Sequence, residues 1–377
     1  MKVGLVVPHI FMHRDILPGV IFAPARLALD LAEGLQALGA EVTLFSPGPV
    51  DTSAHNITAN LSLFQQELRG RGDSYLDLLK KHPATFIALA RQVQAEIIAR
   101  AFAMANRGEL DIVHIYTNEE DIALPFAQLC TKPVVFTHHD PFNFLVKYKN
   151  VFPKYAQLNW ISLSYAQRHG MPPGTNWVDN VYNGIDAARF EPAPRPTGDY
   201  VAYLGRIIEP KGVHLAIAAA KKAGVPLKIA GKHYSGGKDT YWQEKIAPHI
   251  DSQHIIYEGF LASDTEKQQF LGNARALLVP STFEEPFGMV MIEALACGTP
   301  IIGLDSGAIP EIIKPGETGF IIPKTSEPEM IKNFASAIAQ TPHINRAHCR
   351  ADFLRRFTTT HMCRAHLKIY RALTKTH

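Results

Sequence analysis

The residues best suited to chemistry lie in the second half of the chain, where Glu285 is followed by Pro-Phe-Gly and by an apolar run that reaches Glu293. A proline and Gly288 ahead of such a run predict a loop that leads into a helix. The first amides of this helix, at Gly288, Met289 and Val290, would attract a phosphate together with the helix dipole. The stretch therefore predicts an anion site.

Glu285 and Glu293 would flank this anion site. Two carboxylates repel a polyphosphate unless they accept hydrogen bonds from hydroxyl groups, and a hexose and a ribose both supply such groups. The alternative is a helix cap with a solvent-exposed glutamate, which the residues alone leave open.

Two cations, Arg206 and Lys211, follow another predicted strand of the same half, within residues 205–212. Fixed cations in a dry site stabilise the negative charge that a pyrophosphate leaving group gains as its bond to a sugar breaks. Both cations could contact that anion. The alternative is a pair of unrelated surface cations on a loop.

A pair of histidines closes a predicted strand in the first half, in the sequence Thr137-His138-His139-Asp140. No Cys, Glu or third His stands nearby at metal-ligand spacing, so the pattern does not favour a zinc site. A histidine at a strand end suits hydrogen bonding to a sugar hydroxyl. The alternative is a histidine whose hydrogen bonds are made within a turn.

Other phosphate and metal motifs are missing from the sequence or incomplete. The chain has no Asp-x-Asp, which would mark a divalent-metal diphosphate site. It has no Gly-x-Gly-x-x-Gly after the first predicted strand, which counts against a nicotinamide enzyme. Residues 231–238 come near a phosphate-binding P-loop but misplace the Gly-Lys pair and lack the Ser or Thr that holds magnesium. They are interpreted as a loop at a strand end.

The elements that position these residues repeat a strand-helix-strand pattern. In the first half, residues 3–7 and 41–45 are apolar runs, and leucines recur at helical spacing over 27–38 between them. Residues 111–116 and 133–137 add two more such runs. The pattern predicts parallel strands buried on both faces, and thus an α/β fold.

A Pro-rich stretch with few apolar residues, 191–198, precedes a second set of short apolar runs, namely 201–205, 227–231, 276–280 and 300–303. This set predicts another doubly wound domain. From about residue 358 apolar residues at helical spacing predict a helix with a wide apolar stripe. The remaining residues of this helix are rich in basic side chains. The predicted division is a first domain over 1–186 and a second over 187–357.

Composition limits the classes of function. A length of 377 residues favours two domains, and 46% apolar with 19% charged residues is typical of a globular protein. A net charge of +3 gives little support to nucleic acid as a partner. Four cysteines at no metal or redox spacing predict a cytoplasmic protein. Since no apolar stretch reaches about 20 residues, contact with the inner membrane face would be peripheral at most.

Taken in chain order, these features resemble the retaining glycosyltransferases of family four. The resemblance is strongest over residues 200–323, through the motifs Tyr203-Leu204-Gly205-Arg206 with Lys211-Gly212, Glu285 to Glu293, Ala296-Cys297-Gly298-Thr299-Pro300 and Gly316-Glu317-Thr318-Gly319-Phe320. In the first half Gly19, His139 and Asn183-Gly184-Ile185-Asp186 match, whereas 47–110 match no motif of the family. The resemblance implies the GT-B architecture, in which two Rossmann-like, doubly wound domains face each other across a cleft. It also implies that the helix over 358–377 crosses back to the first domain.

The resemblance implies four catalytic residues. Glu285 would hold a donor-sugar hydroxyl, and Arg206 with Lys211 would hold the diphosphate. His139, from the first domain, would contact the donor sugar.

It also implies the residues that bind the donor. Glu293 would hold the ribose, and Gly19 would approach the phosphate from the first domain. Backbone groups would complete the site, at Gly288, Met289 and Val290 for the sugar and phosphate and at Gly259, Phe260 and Leu261 for the base.

The expected reaction is a transfer that retains the anomeric configuration. A hexose-type sugar would leave a nucleoside diphosphate through an oxocarbenium-like state, and a donor phosphate oxygen would take the acceptor's proton. UDP is the expected nucleotide from its frequency in the family, and no metal or other cofactor is expected. The sequence does not identify the acceptor, and a saccharide, a lipid-linked glycan and a small molecule all fit.

The same residues are also compatible with other functions. A nucleotide-sugar epimerase or a phosphorylase uses the same two-domain layout with other residues in the cleft. A non-catalytic nucleotide-sugar binding protein would bind the donor without transfer or hydrolysis, although the four residues Arg206, Lys211, Glu285 and Glu293 together count against it.

Residues 142–155 mix aromatics with lysines shortly after His139. The stretch could dock a lipid-linked acceptor at a membrane surface. A helix whose aromatics pack inward while its lysines face water is the simpler account.

Overall fold

The computed structural model describes residues 1–20, 22–233 and 239–375. The chain divides into two compact units. Unit 1 comprises Met1–Leu163, Arg168–Val181 and Thr359–His377, and unit 2 comprises Ser164–Gln167 and Tyr182–Thr358. Each unit is built around one parallel sheet.

The sheet of unit 1 has seven strands: β1 (Lys2–Val6), β2 (Glu41–Ser46), β3 (His55–Thr58), β4 (Ile112–Thr117), β5 (Val134–His138), β6 (Asn159–Ser162) and β7 (Trp177–Asn180). Their spatial order is β3-β2-β1-β4-β5-β6-β7. The order reverses between β1 and β4, and open parallel sheets bind ligands beyond the carboxyl ends of the strands at such a point.

The helices of this part of unit 1 are α1 (Ala23–Ala37), α2 (Ser62–Arg71), α3 (Tyr75–Lys81), α4 (Pro83–Asn106) and α5 (Val146–Val151). α4 buries Phe86, Ala90, Val93 and Ile97 at helical spacing in the core beside the sheet. Together with β3, α2 and α3, this helix occupies the stretch 47–110, where the sequence matched no family motif.

The sheet of unit 2 has six strands: β8 (Val201–Leu204), β9 (Leu227–Ala230), β10 (Ile255–Gly259), β11 (Leu277–Val279), β12 (Ile301–Leu304) and β13 (Gly319–Ile322). Their spatial order is β10-β9-β8-β11-β12-β13. Here the order reverses between β8 and β11, so the two strands on either side of the expected binding point come from distant parts of the chain.

The helices of unit 2 are α6 (Val213–Ala223), α7 (Asp264–Gly272), α8 (Met289–Ala296), α9 (Ile309–Ile312), α10 (Glu327–Gln340) and α11 (Arg346–Arg356). α6 and α10 pack together, and Leu215, Ile217, Phe334 and Ile338 join the strands in one buried core. Burying this apolar surface is the main favourable term in folding the unit.

The helix α12 (Thr359–Leu373) follows unit 2 in the chain and belongs to unit 1. It packs against α1, where Cys363 Sγ lies 3.8 Å from the carbonyl oxygen of Asp30. A Cβ on Gly34 of α1 would lie 2.4 Å from Cys363 Sγ, so only glycine permits this approach of the two helices.

The predicted α/β class with two doubly wound parallel sheets is confirmed. The cleft predicted between the domains stays a prediction. Among the described residues, no helix combines the length and the apolar character that a membrane-spanning segment requires.

Candidate functional site

Two adjacent strands, β8 and β11, position the predicted site of unit 2. Residues 205–212 follow β8, and residues 280–288 follow β11. The loops meet at Gly212, which has φ 71°, and a Cβ there would lie 2.2 Å from the carbonyl oxygen of Pro280. Glycine therefore permits both the left-handed backbone and the contact between the loops.

Lys211 and Glu285 form an ion pair that joins these loops. Ser281 Oγ donates a second hydrogen bond to Glu285 Oε1 at 3.1 Å. Only 8% of Glu285 is exposed, and a buried carboxylate needs such partners because removing an isolated charge from water is costly. Glu285 is thus not the solvent-exposed glutamate of the alternative interpretation.

Gly307, in the loop after β12, supports the backbone of Glu285. It has φ 54°, and a Cβ there would lie 2.4 Å from Glu285 N. The amide of Ala308 donates to the carbonyl oxygen of Glu285 at 2.9 Å. This support was not predicted from the sequence, although Ser306-Gly307 after an apolar run is a loop signal.

The helix α8 begins at Met289, directly after Gly288, as the sequence predicts. Gly288 has φ 92° and provides no side-chain cap, so the first amides of α8 depend on other partners. A Cβ on Gly288 would lie 2.5 Å from Met291 Cε. Phosphate binding at Gly288, Met289 and Val290 stays a prediction.

Glu293 lies on α8 and is 7% exposed. Lys267 Nζ on α7 donates to Glu293 Oε1 at 3.2 Å, while Glu293 Oε2 is buried and has no hydrogen-bond partner among the described residues. Lys267 was not predicted from the sequence as part of the site. The capping sequence from Ser263 to Glu266 would have placed this lysine in the first turn of a helix.

Arg206 lies in the same loop as Lys211 but is exposed. The loop is held by Tyr203, whose hydroxyl donates to the carbonyl oxygen of Arg206 at 2.9 Å. Burial raises the pKa of Tyr203 well above its ordinary value, so this hydroxyl keeps its proton and acts as a donor. A shared anion between Arg206 and Lys211 stays a prediction.

The residues predicted to receive the base lie at the end of β10. Gly259 accepts a hydrogen bond on its carbonyl oxygen from the amide of Gly231 at 2.8 Å. Phe260 is 46% exposed, and Lys232 Nζ lies 4.2 Å from its ring centroid. Leu261 is half-buried. Residues 234–238 of the P-loop-like stretch lie outside the described residues.

In unit 1, His139 follows β5 and its ring lies 4.4 Å from that of Tyr116, centroid to centroid. Burial, followed by the charges of His138 and His366, lowers the pKa of His139 to about 3. The imidazole is therefore neutral at pH 7 and can either donate or accept a hydrogen bond. Gly19 ends a short helix, Leu17–Gly19, and its surroundings lie outside what the structure describes.

The aromatic stretch 142–155 follows neither account completely. Phe142, Tyr148 and Phe152 are buried, as the inward-packing account expects. Within the same stretch, Phe144, Leu145 and Val146 are 51%, 39% and 75% exposed, which the inward-packing account does not expect of Phe144. Contact with a membrane or a lipid-linked acceptor stays a prediction.

Comparison with known proteins covers both units. A family model described as Glycosyltransferase Family 4 matches residues 24–189. A second model, described as glycosyl transferases group 1, matches residues 184–351.

Two relatives match different lengths of the chain. Glycogen synthase of Mycobacterium tuberculosis is 36% identical over 155 residues, which are 39% of this chain and 36% of that protein. The chain therefore matches about a third of that relative's length. A phosphatidyl-myo-inositol mannosyltransferase of Mycolicibacterium smegmatis is 25% identical over 341 residues, covering 86% of this chain and 81% of the relative.

Solved structures share the fold over the full length. Sucrose-phosphate synthase of Thermosynechococcus elongatus has a TM-score of 0.73 at 17% identity and covers 100% of both chains. Anabaena HepE, solved with UDP and glucose, has a TM-score of 0.69 at 17% identity and covers 99% of this chain and 100% of its own. The predicted GT-B fold is thereby confirmed as two doubly wound units in one chain, while the cleft between them stays a prediction. Given the matched models and the two doubly wound sheets, the chain belongs to the glycosyltransferases of family four.

Proposed function

We propose that this chain is a retaining glycosyltransferase that moves a hexose-type sugar from a nucleoside diphosphate to an acceptor hydroxyl without a metal ion. The observation that carries the proposal is the largely buried ion pair of Lys211 and Glu285, which joins the loops after β8 and β11 ahead of the N-terminus of α8. This arrangement offers a cation and backbone amides to a diphosphate and a carboxylate to sugar hydroxyls.

In the proposed reaction the bond between the anomeric carbon and the phosphate oxygen breaks, and its electron pair stays on the diphosphate. Lys211 and Arg206 stabilise that charge. The ammonium of Lys211 has three donors, so it can keep its hydrogen bond to Glu285 while it donates to the diphosphate. The other oxygen of Glu285 accepts a hydrogen bond from a donor-sugar hydroxyl.

The acceptor oxygen attacks the anomeric carbon from the face that the diphosphate leaves, which retains the configuration. Its proton passes to a donor phosphate oxygen, so no side chain acts as a nucleophile. His139, held neutral by burial, hydrogen-bonds the donor sugar.

A uridine nucleotide is the first donor to test. HepE was solved with UDP-glucose, and its fold matches this chain at 17% identity. The acceptor is a saccharide, a lipid-linked glycan or a small molecule.

The test begins with a thermal-shift screen of UDP-, GDP- and ADP-sugars, because a ligand that binds the folded state raises the melting temperature. The sugar that binds is then incubated with the protein and candidate acceptors, and proton NMR follows the first-formed product. Retention of the anomeric configuration supports the proposal, and inversion rejects the mechanism. An isomerised nucleotide sugar without acceptor would indicate an epimerase. Binding without transfer or donor hydrolysis would indicate a binding protein.

A further inference from the structure

Lys267, whose side chain is half-buried, contacts the buried Glu293 in a way that the proposed reaction leaves unexplained. It lies in the first turn of α7, and its ammonium lies 3.2 Å from Glu293 Oε1 on α8. The start of α7 is fixed by a capping box between Ser263 and Glu266. Because α7 and α8 are both helices packed in unit 2, the ammonium approaches the carboxylate from a fixed backbone.

The two oxygens of Glu293 are used differently. Oε1 accepts the hydrogen bond from Lys267, whereas Oε2 is buried without a hydrogen-bond partner among the described residues. A buried acceptor left without a partner is unfavourable, and a hydroxyl group of a bound ligand would remove that cost. The side chain is therefore held by one oxygen with the other left for a ligand.

We propose that Lys267 is a positioning residue for donor binding: it fixes the Glu293 carboxylate so that Oε2 accepts a hydrogen bond from a ribose hydroxyl. The inference rests on the donor-binding part of the proposed function, in which Glu293 holds the ribose. Lys267 acts through Glu293 and does not contact the donor. A side chain locked by a charged partner loses less freedom when a ligand binds, which strengthens binding.

The arrangement has a consequence for specificity. A site built to hydrogen-bond a hydroxyl group discriminates strongly against an analogue that lacks it, because the buried polar group is then left unpaired. Ribonucleotides should therefore bind more tightly than nucleotides without ribose hydroxyls, and Lys267 should be required for that preference.

The experiment measures dissociation constants by isothermal titration calorimetry for UDP and for its 2′,3′-dideoxy analogue, or for the GDP or ADP pair if that nucleotide binds the wild type more tightly. Lys267→Met should weaken ribonucleotide binding about tenfold, the scale of one lost charge-assisted hydrogen bond. It should leave dideoxynucleotide binding within about twofold. Lys267→Arg, which keeps a cation, should restore most of the preference.

Two further variants test whether Lys267 acts through Glu293. Glu293→Gln should lose the same preference, and the double variant with Lys267→Met should bind no more weakly than Glu293→Gln alone, because both changes remove one interaction. The matched control is Lys332→Met on α10, an exposed lysine of the same unit, which should leave both constants unchanged.

Equal weakening for both nucleotides in Lys267→Met would overturn the inference, since Lys267 would then contact the phosphates or only support the fold. An unchanged ribonucleotide constant would overturn it as well. A result that overturns only the proposed reaction can be told apart from these outcomes. In that case the ribose preference and its loss in Lys267→Met are observed, while the wild type consumes no nucleotide sugar.

Discussion

The pairing of Lys211 with Glu285 changes what a single substitution at either residue reports. Removing one partner of a buried ion pair leaves an uncompensated charge, which costs about 3–5 kcal/mol when burial is complete. The Lys211 side chain is 18% exposed and that of Glu285 is 10% exposed, so water reduces this cost. Turnover must therefore be compared among variants that are shown to be folded.

Lys211→Ala and Glu285→Gln are each expected to reduce turnover about a hundredfold or more, the scale of one lost contact to the charge that develops in the transition state. The measurement is the initial rate of donor consumption at saturating donor, with near-ultraviolet circular dichroism to check folding. Lys332→Ala is the matched control. Full activity in either variant would show that the site lies elsewhere.

The thiol groups of the chain should differ in reactivity. Cys297, Cys349 and Cys363 are buried, and burial raises the pKa of each thiol to about 12. Cys130 is half-buried. Because the thiolate is the reactive form, we expect Ellman's reagent to titrate one thiol in the folded protein and all four after unfolding. The variant Cys130→Ser should show none before unfolding, and rapid reaction of a second thiol in the wild type would contradict the burial of Cys297, Cys349 and Cys363.

At the scale of elements, buried His114 joins β4, β5 and α12, and the ring of His366 on α12 lies 5.4 Å from that of His114, centroid to centroid. His114 Nδ1 lies 2.6 Å from the Tyr370 hydroxyl, and His114 Nε2 lies 2.8 Å from Thr137 Oγ1. His366 Nδ1 lies 2.9 Å from the carbonyl oxygen of Met362. Burial lowers the pKa of His114 well below its ordinary value and that of His366 to about 4.

These histidines should make the folded state sensitive to acid. Their folded pKa values lie below the unfolded value of about 6.5, so below that pH the unfolded chain takes up protons that the folded chain does not. The contribution of these neutral, buried histidines to the free energy of unfolding is fully present above about pH 6.5. It is lost as the pH falls toward about 4, because protonation then favours the unfolded chain. We expect the denaturant midpoint to fall over this window, with a shallower fall in His366→Phe. Equal slopes in the two proteins would contradict this account.

The loop after β12 should affect the site through backbone geometry. Gly307→Ala places a Cβ 2.4 Å from Glu285 N at φ 54°, so the Glu285 loop must move. We expect the free energy of unfolding to fall by about 3 kcal/mol and turnover to be lost. Gly316→Ala is the control, because Gly316 has φ 76° with nothing within 4 Å, and it should cost only about 1 kcal/mol. Normal turnover in Gly307→Ala would contradict the supporting role of this loop.

The central strands could be predicted from the sequence, whereas most edge strands could not. The strands β1, β4, β8 and β12 are buried on both faces and appear as continuous apolar runs. β3 and β7 lie at the edges of the sheet of unit 1, are only partly buried and carry no such run. β10 and β13 lie at the edges of the sheet of unit 2 and carry only short apolar runs that are partly buried. β6 is a four-residue strand with two polar ends, Asn159 and Ser162, and gives no run either.

The residues of the candidate site also divide into those that the sequence predicts and those that it does not. The Glu285 to Glu293 stretch could be found because its loop, glycine and helix are contiguous in sequence. Ser281 and Gly307 could not be assigned, since a hydroxyl and a loop glycine have many uses and only the tertiary fold brings Gly307 to Glu285. Lys267 lies 26 residues before Glu293, a separation that no local pattern links.

At the scale of the whole molecule, α12 should be essential to unit 1. It buries Met362, Cys363, Leu367 and Tyr370 against that unit. A chain truncated after Arg356 exposes the apolar surface that α12 covers, and we expect a large fall in melting temperature or loss of soluble protein. Truncation after Thr374, which leaves α12 intact, is the control. An unchanged melting temperature in the shorter chain would show that α12 adds nothing to unit 1.

The interleaved path of the chain also sets an order of events during synthesis. A ribosome makes all of unit 2 before it reaches α12, although most of unit 1 has been made by then. Domains fold as units while the chain grows. Unit 1, most of which is translated first, can therefore be completed by α12 only after unit 2 has been translated. Until α12 is made, the apolar side chains that it covers on α1 are exposed, and exposed apolar surface favours aggregation of the nascent chain.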